Sequence, residues 1–190
     1  LPPAAQFPCE EPLRDFADFV RRADRETFAR EIGDRLDLDN AVDFLLLLYF
    51  SGNKDGYDGN FYLAREAAPH ARFQFVVWDY DHGFGKRNLA MSNPIIDRLR
   101  RDVPGFDERL RARWRELRNG PLATAALDAR LDEMTARLAG SMDFEFALFP
   151  HAGATSFAAE TAKWRETVGL LLADMDARFG GPAAAPAPAP

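Results

Sequence analysis

Two short runs, Asn60-Phe61-Tyr62-Leu63 and Phe73-Gln74-Phe75-Val76-Val77-Trp78, are aromatic and β-branched and are separated by a polar, Pro-containing loop. They read as the two strands of a hairpin. Each is flanked on its outer side by a loop rich in Asp, Gly and Asn: Gly52 to Asn60 before the hairpin, Asp79 to Gly85 after it. A hairpin brings its outer ends together, so Asp55, Asn60, Asp79 and Asp81 are expected to converge. Carboxylates and an amide gathered without matching cations repel one another. A divalent cation is the simplest partner that relieves this, and an all-oxygen donor set favours magnesium, manganese or calcium over zinc.

The flanking sequence is helical in period. Leu13, Phe16, Phe19, Val20, Phe28 and Ile32 predict one helix from Leu13 to Ile32, closed by Gly33. A second helix is expected to start at Asp37 or Asp39, both read as caps rather than ligands, and to run through Ala41–Phe50 until Ser51-Gly52 stops it. Its apolar residues cover nearly the whole circumference, which predicts burial on most sides. From Pro94 onward the pattern gives three or more helices broken near Pro104-Gly105, Gly120-Pro121, Gly140 and Pro150–Gly153. The expected fold class is therefore α+β, mostly helical, with one small hairpin carrying the unusual residues.

Residues 1–12, with four prolines, read as a connector from an upstream segment; residues 13–179 read as one domain, and residues 180–190 as a disordered Ala- and Pro-rich tail. The net charge of -6 argues against a general nucleic-acid binder, and no apolar run is long enough for a membrane span. The basic residues from Arg98 to Arg118 alternate with acids at helical intervals and read as a solvated face. A single cysteine, Cys9, excludes an intrachain disulfide framework.

Several motifs can be set aside. Gly83-Phe84-Gly85-Lys86 lacks the earlier glycine of a phosphate-binding loop, and Arg87 stands where Ser or Thr would coordinate magnesium. Counting from Asn53 or Asp55 does not place the ligands of a calcium hand, and neither zinc-protease nor serine-hydrolase motifs occur. The hairpin aromatics Phe61, Tyr62, Phe73, Phe75 and Trp78 read as core that supports the site. None of His70, His82 and His151 is expected to be a ligand.

The spacing Asp55-x-x-x-x-Asn60, preceded by a buried helix and followed by a hairpin ending in Asp79 and Asp81, matches the catalytic-loop, hairpin and metal-loop order of protein kinases. Asp37-Leu38-Asp39-Asn40-Ala41-Val42-Asp43, Gly52-Asn53-Lys54-Asp55-Gly56-Tyr57, Asn60-Phe61-Tyr62-Leu63 and Val77-Trp78-Asp79-Tyr80-Asp81-His82-Gly83-Phe84-Gly85 together resemble the core signature of the CotH (spore coat protein H) kinase family. The resemblance implies an atypical, secreted or envelope-associated protein kinase fold that uses ATP and Mg2+ or Mn2+ to phosphorylate Ser or Thr of a protein, such as a coat or surface protein. It assigns Asp55 as the catalytic-loop aspartate, and Asn60 and Asp79 as metal ligands, with Asp81 in the same metal motif. Lys54, beside Asp55, is placed to touch the transferring phosphate.

No stretch matches the lobe that covers the nucleotide from the other side with a Gly-rich loop and a Lys–Glu pair; the lysines are Lys54, Lys86 and Lys163. The expectation is that the chain supplies the metal-binding, catalytic half and is inactive alone. The alternative is a CotH-like binding or coat-interaction module that has lost catalysis.

Overall fold

A computed structural model of the chain describes residues 10–81, 83–84, 92–149 and 156–181. It is mostly helical with one two-stranded antiparallel sheet, in the order α1 (Glu10–Arg22), α2 (Arg25–Arg35), α3 (Leu38–Ser51), α4 (Asp55–Asp58), β1 (Phe61–Ala64), β2 (Gln74–Val77), α5 (Pro94–Asp102), α6 (Phe106–Arg118), α7 (Thr124–Leu148) and α8 (Phe157–Phe179). Two compact units form, dividing between Leu110 and Arg111 within α6.

The single helix expected over Leu13–Ile32 is two helices. Asp24 caps α2 by accepting the Thr27 N–H at 2.9 Å, which ends α1 at Arg22 although the apolar spacing runs on from Phe16 and Val20 to Phe28 and Ile32. Gly33 does not terminate α2, which continues to Arg35. Likewise α7 passes through Gly140 without a break. A glycine within a helix costs about 1 kcal/mol relative to alanine, little enough for its neighbours to override. Helix α1 starts at Glu10 with Pro12 in its first turn, where a missing N–H costs nothing. The breaks at Val103–Gly105 and Asn119–Ala123 fall as expected; Pro150–Gly153 and the Ala/Pro segment beyond Gly181 lie outside the described residues.

In the first unit, α3 is the central element. Asp37 caps it by accepting the Asp39 and Asn40 N–H groups, and Gly52 closes it in the left-handed region at φ 62°. The segment before α3 pairs with the start of β2, the Asp37 N–H donating to the Phe73 carbonyl and the Phe73 N–H to the Arg35 carbonyl at 2.8 and 2.7 Å. Asn40 then docks α3 on β2: its Nδ2 donates to the Phe75 carbonyl and its Oδ1 accepts the Phe75 N–H, as a neighbouring strand would. Beneath the hairpin Phe44 stacks on Phe75 with centroids 4.4 Å apart, and Phe61 meets both rings. The register, Phe61 opposite Val77 and Leu63 opposite Phe75, puts these side chains on the helix-facing side.

Tyr62 and Trp78 are not core. They lie on the outer face of the hairpin, 55% and 58% exposed, edge to face against each other at 5.7 Å. The aromatics that do support the site are Phe73, Phe75 and, half-buried, Phe61.

The basic run is also not uniformly solvated. Arg98 is largely buried, lies 3.9 Å over the Phe28 ring, donates to the Val20 carbonyl at 2.7 Å and pairs with buried Asp102 at 2.9 Å. Asp102 accepts two further N–H groups from Arg101. The Arg101 guanidinium first, then that of Arg98, outweighs burial and holds the Asp102 carboxyl at about 2. Its folded value lies below the unfolded one, so its contribution to stability is complete above about pH 4 and is lost as pH falls toward 2. Urea titrations from pH 5 to pH 2 are expected to show stability falling across that window, and Asp102→Asn should flatten the slope there. An unchanged slope would mean the pair does not titrate in this way.

In the second unit α7 packs along α8. Arg165 on α8 pairs with Asp128 and Asp132 on α7, and buried Arg118 pairs with Asp176. No helix among the described residues is long and apolar enough to cross a membrane.

Candidate active site

The end of α3 delivers the chain into the first polar loop. After Gly52, Asn53 is buried; a short turn of helix, α4, begins at Asp55, and its carbonyl accepts the Gly59 and Asn60 N–H groups at 3.0 and 2.8 Å. Asn93, which caps α5, braces this turn by donating to the Tyr57 carbonyl at 3.0 Å. Gly56 has no room for a side chain, since a Cβ there would lie 2.5 Å from Leu48 Cδ2 and 3.2 Å from the Tyr80 hydroxyl. Tyr80, from the other loop, is thereby laid against the turn that carries Asp55.

The second loop folds back onto the first. The Trp78 N–H donates to the Asn60 carbonyl at 3.2 Å, continuing the ladder past β1 and β2. Asp79 then adopts φ 55°, a left-handed conformation uncommon for a residue with a side chain. Its carbonyl accepts two side-chain amides, Asn60 Nδ2 at 3.2 Å and Asn53 Nδ2 at 3.5 Å. The Gly83 N–H donates to the Tyr80 carbonyl, and the Phe84 N–H, from a second left-handed residue, donates to the Ser51 carbonyl at the end of α3. The Phe84 ring meets Phe50 edge to face.

Of the four residues expected to converge, Asn60 and Asp79 meet directly, through the Asn60 side-chain amide and the Asp79 carbonyl, and Asp55 is tied to Asn60 through its backbone carbonyl. A carbonyl can only accept, so the NH2 end of Asn60 must face Asp79 and its Oδ1 is turned to the other side. Among the described residues the carboxylates of Asp55 and Asp79 have no hydrogen bond or ion pair, whereas Asp37, Asp39, Asp102, Asp107, Asp128, Asp132 and Asp176 are each paired with an arginine. Asp81 is exposed and Lys54 is exposed beside Asp55. His82, Gly85, Lys86 and Arg87 lie outside the described residues.

No group of three or more His, Cys, Asp or Glu residues among the described residues is arranged to hold a metal by itself. The donor chemistry still fits a hard cation, with two uncommitted carboxylates and an amide oxygen on loops tied together. Magnesium in nucleotide sites takes one or two carboxylates and completes its shell with phosphate and water oxygens.

Tyr80 is the feature the motif did not single out. Its hydroxyl is buried with no hydrogen-bond partner among the described residues, and burial pushes its pKa up to about 12. It stays a neutral spacer between the two loops. Asn53 was visible in the sequence only as a letter of the motif; a buried amide following a Gly cap is the signal that could have marked it.

The family model described as CotH kinase protein matches residues 8–172. That is most of the 190-residue chain, which therefore belongs to the CotH kinase family. No curated protein and no solved structure matched the chain. Membership in a kinase family implies in general the use of ATP, a divalent cation and a protein acceptor.

Proposed function

We propose that the chain carries the metal-holding and acceptor-orienting side of a CotH-type protein kinase, moving the γ-phosphoryl group of ATP to Ser or Thr of a protein. The observation that supports this most is the pair of carboxylates, Asp55 and Asp79, that have no partner among the described residues and lie on loops joined at the Asp79 carbonyl. Asp79 and the Oδ1 of Asn60 are the residues that would hold Mg2+ or Mn2+, with Asp81 as a further donor. When bound, such a cation neutralises charge on the phosphate oxygens. Asp55, at the start of α4, orients the acceptor hydroxyl and takes its proton as the new O–P bond forms and the bond from the γ-phosphorus to the β–γ bridging oxygen breaks, releasing ADP. Lys54, next to it, offers an ammonium group to the phosphoryl oxygens. The acceptor is a coat or other surface protein and the setting is secreted or envelope-associated, both following from the family's character.

Titration of the full chain with Mn2+ in the presence of ATP, read from the enhancement of water-proton relaxation over that of Mn2+–ATP without protein, tests this. Saturable binding that Asp79→Asn weakens is expected. Absence of saturable binding, or binding indifferent to Asp79→Asn, would overturn the assignment and favour a non-catalytic binding module.

A further inference from the structure

Asn53 is 1% exposed and every polar atom of its side chain is committed. Its Oδ1 accepts the Gly56 N–H at 3.3 Å, inside the turn that begins at Asp55. Its Nδ2 donates to the Asp79 carbonyl at 3.5 Å. Its own backbone N–H donates to Ser51 Oγ at 3.3 Å, which fixes it to the end of α3. One buried amide therefore links three things: the rigid helix, the turn bearing Asp55 and the backbone of Asp79.

The link falls on a strained point. Asp79 has φ 55°, and a non-glycine residue persists in a sparsely populated conformation only where its surroundings hold it there. The carbonyl that Asn53 and Asn60 both grip is the one whose orientation is set by the ψ of Asp79, so the grip fixes the residue's backbone and with it the direction in which its carboxylate leaves the chain. Asn60 is itself assigned to the cation. Asn53 has no atom left to offer a ligand and sits behind the site.

We infer that Asn53 is a positioning residue for the cation site: it holds Asp79 in its left-handed conformation, and in register with the turn of Asp55, so that the two carboxylates act on one bound cation–nucleotide complex. This rests on the reading of Asp55 and Asp79 given above. Residues behind a metal ligand commonly set metal affinity by roughly 10- to 100-fold.

The test uses the full chain, with Mn2+ and ATP as probes, and amide exchange as a readout independent of both. In Asn53→Ala without added metal, the Gly83 and Phe84 amides, which bond the Tyr80 and Ser51 carbonyls where the second loop folds back, should exchange faster while the interior of α3 is unchanged. Mn2+ affinity in the presence of ATP should fall by roughly 10- to 100-fold. If Asn53→Ala loses helical circular dichroism, Asn53→Asp takes its place. It keeps an acceptor for the Gly56 N–H and replaces the donor to Asp79 with a buried carboxylate oxygen that repels that carbonyl, so Gly56 should stay protected while Gly83 and Phe84 do not. Unchanged loop exchange would overturn the clamp. Faster exchange with unchanged Mn2+ affinity would overturn the positioning role. Failure of the wild-type chain to take up Mn2+ would instead remove the cation-site reading on which the role depends, and is recognised because it appears before any substitution is made.

Discussion

In a protein that also carries the lobe covering the nucleotide, replacing Asp55 by Asn is expected to lower phosphoryl transfer from ATP to a Ser- and Thr-bearing protein acceptor by roughly 10²- to 10⁴-fold, the usual contribution of a general base, with little change in Mn2+–ATP affinity. Asparagine fills the same space at the start of α4, and the Asp55 backbone carbonyl that accepts the Gly59 and Asn60 N–H groups is untouched. What is lost is the ability to take a proton or to orient the hydroxyl by charge. Asp79→Asn removes a charge that the cation requires, so affinity and transfer should fall together. Its backbone should hold, since asparagine tolerates the left-handed region as readily as aspartate. The two variants thus separate along different axes although the residues they replace flank one hairpin. If Asp55→Asn abolished metal binding while Asp79→Asn left it intact, the two roles would be reversed. If neither variant lost transfer, the mechanism would be wrong.

The parts of this arrangement that could be read from the sequence are those fixed by local chemistry. Helix α3 has a capping aspartate, an apolar surface on nearly all sides and a terminal glycine, and its bounds followed. The hairpin followed from its β-branched and aromatic runs, and its closure required the loops of Asn60 and Asp79 to meet. Other features depended on what the rest of the chain covers. Alternation along β1 and β2 defines two faces but not which of them is buried, so Tyr62 and Trp78 read as core and lie exposed. The break between α1 and α2 was hidden because Phe16, Val20, Phe28 and Ile32 keep helical spacing across it; it is set by Asp24, which caps α2 by accepting the Thr27 N–H. Arg98 and Arg118 alternate with acids as surface residues do, and only the fold shows that their partners, Asp102 and Asp176, are gathered around them. At the candidate site, the approach of Asn60 to Asp79 was legible because a hairpin imposes it. The grip of two amides on one carbonyl was not, because backbone acceptors leave no mark in a sequence.

Asp176→Ala is expected to destabilise the second unit by about 3–5 kcal/mol, the range for stripping the partner from a buried charge. The Asp176 carboxylate accepts Trp114 Nε1–H at 2.9 Å and Arg118 Nε–H at 3.0 Å, with a further bond from Arg118 Nη2 at 3.1 Å. Arg118 is buried, with a side-chain exposure of 6%, and also donates to the Leu122 carbonyl and to Thr124 Oγ1 at the start of α7. One carboxylate on α8 therefore satisfies two buried donors on α6 and holds the arginine that secures the turn into α7. Alanine would leave a guanidinium without its counter-charge and an indole N–H without its acceptor. The cause can be separated from simple loss of packing by a second variant. Replacing both partners, Asp176→Ala with Arg118→Met, removes the charge along with its partner and should recover most of the loss, leaving about 1–3 kcal/mol for the unsatisfied indole N–H. Urea denaturation followed by tryptophan fluorescence gives the comparison. A single variant costing less than about 1 kcal/mol, the value typical of an exposed ion pair, would show that solvent reaches Arg118 in solution. A double variant no more stable than the single would show that the arginine's bonds to Leu122 and Thr124, rather than its charge, hold this end of the helices together.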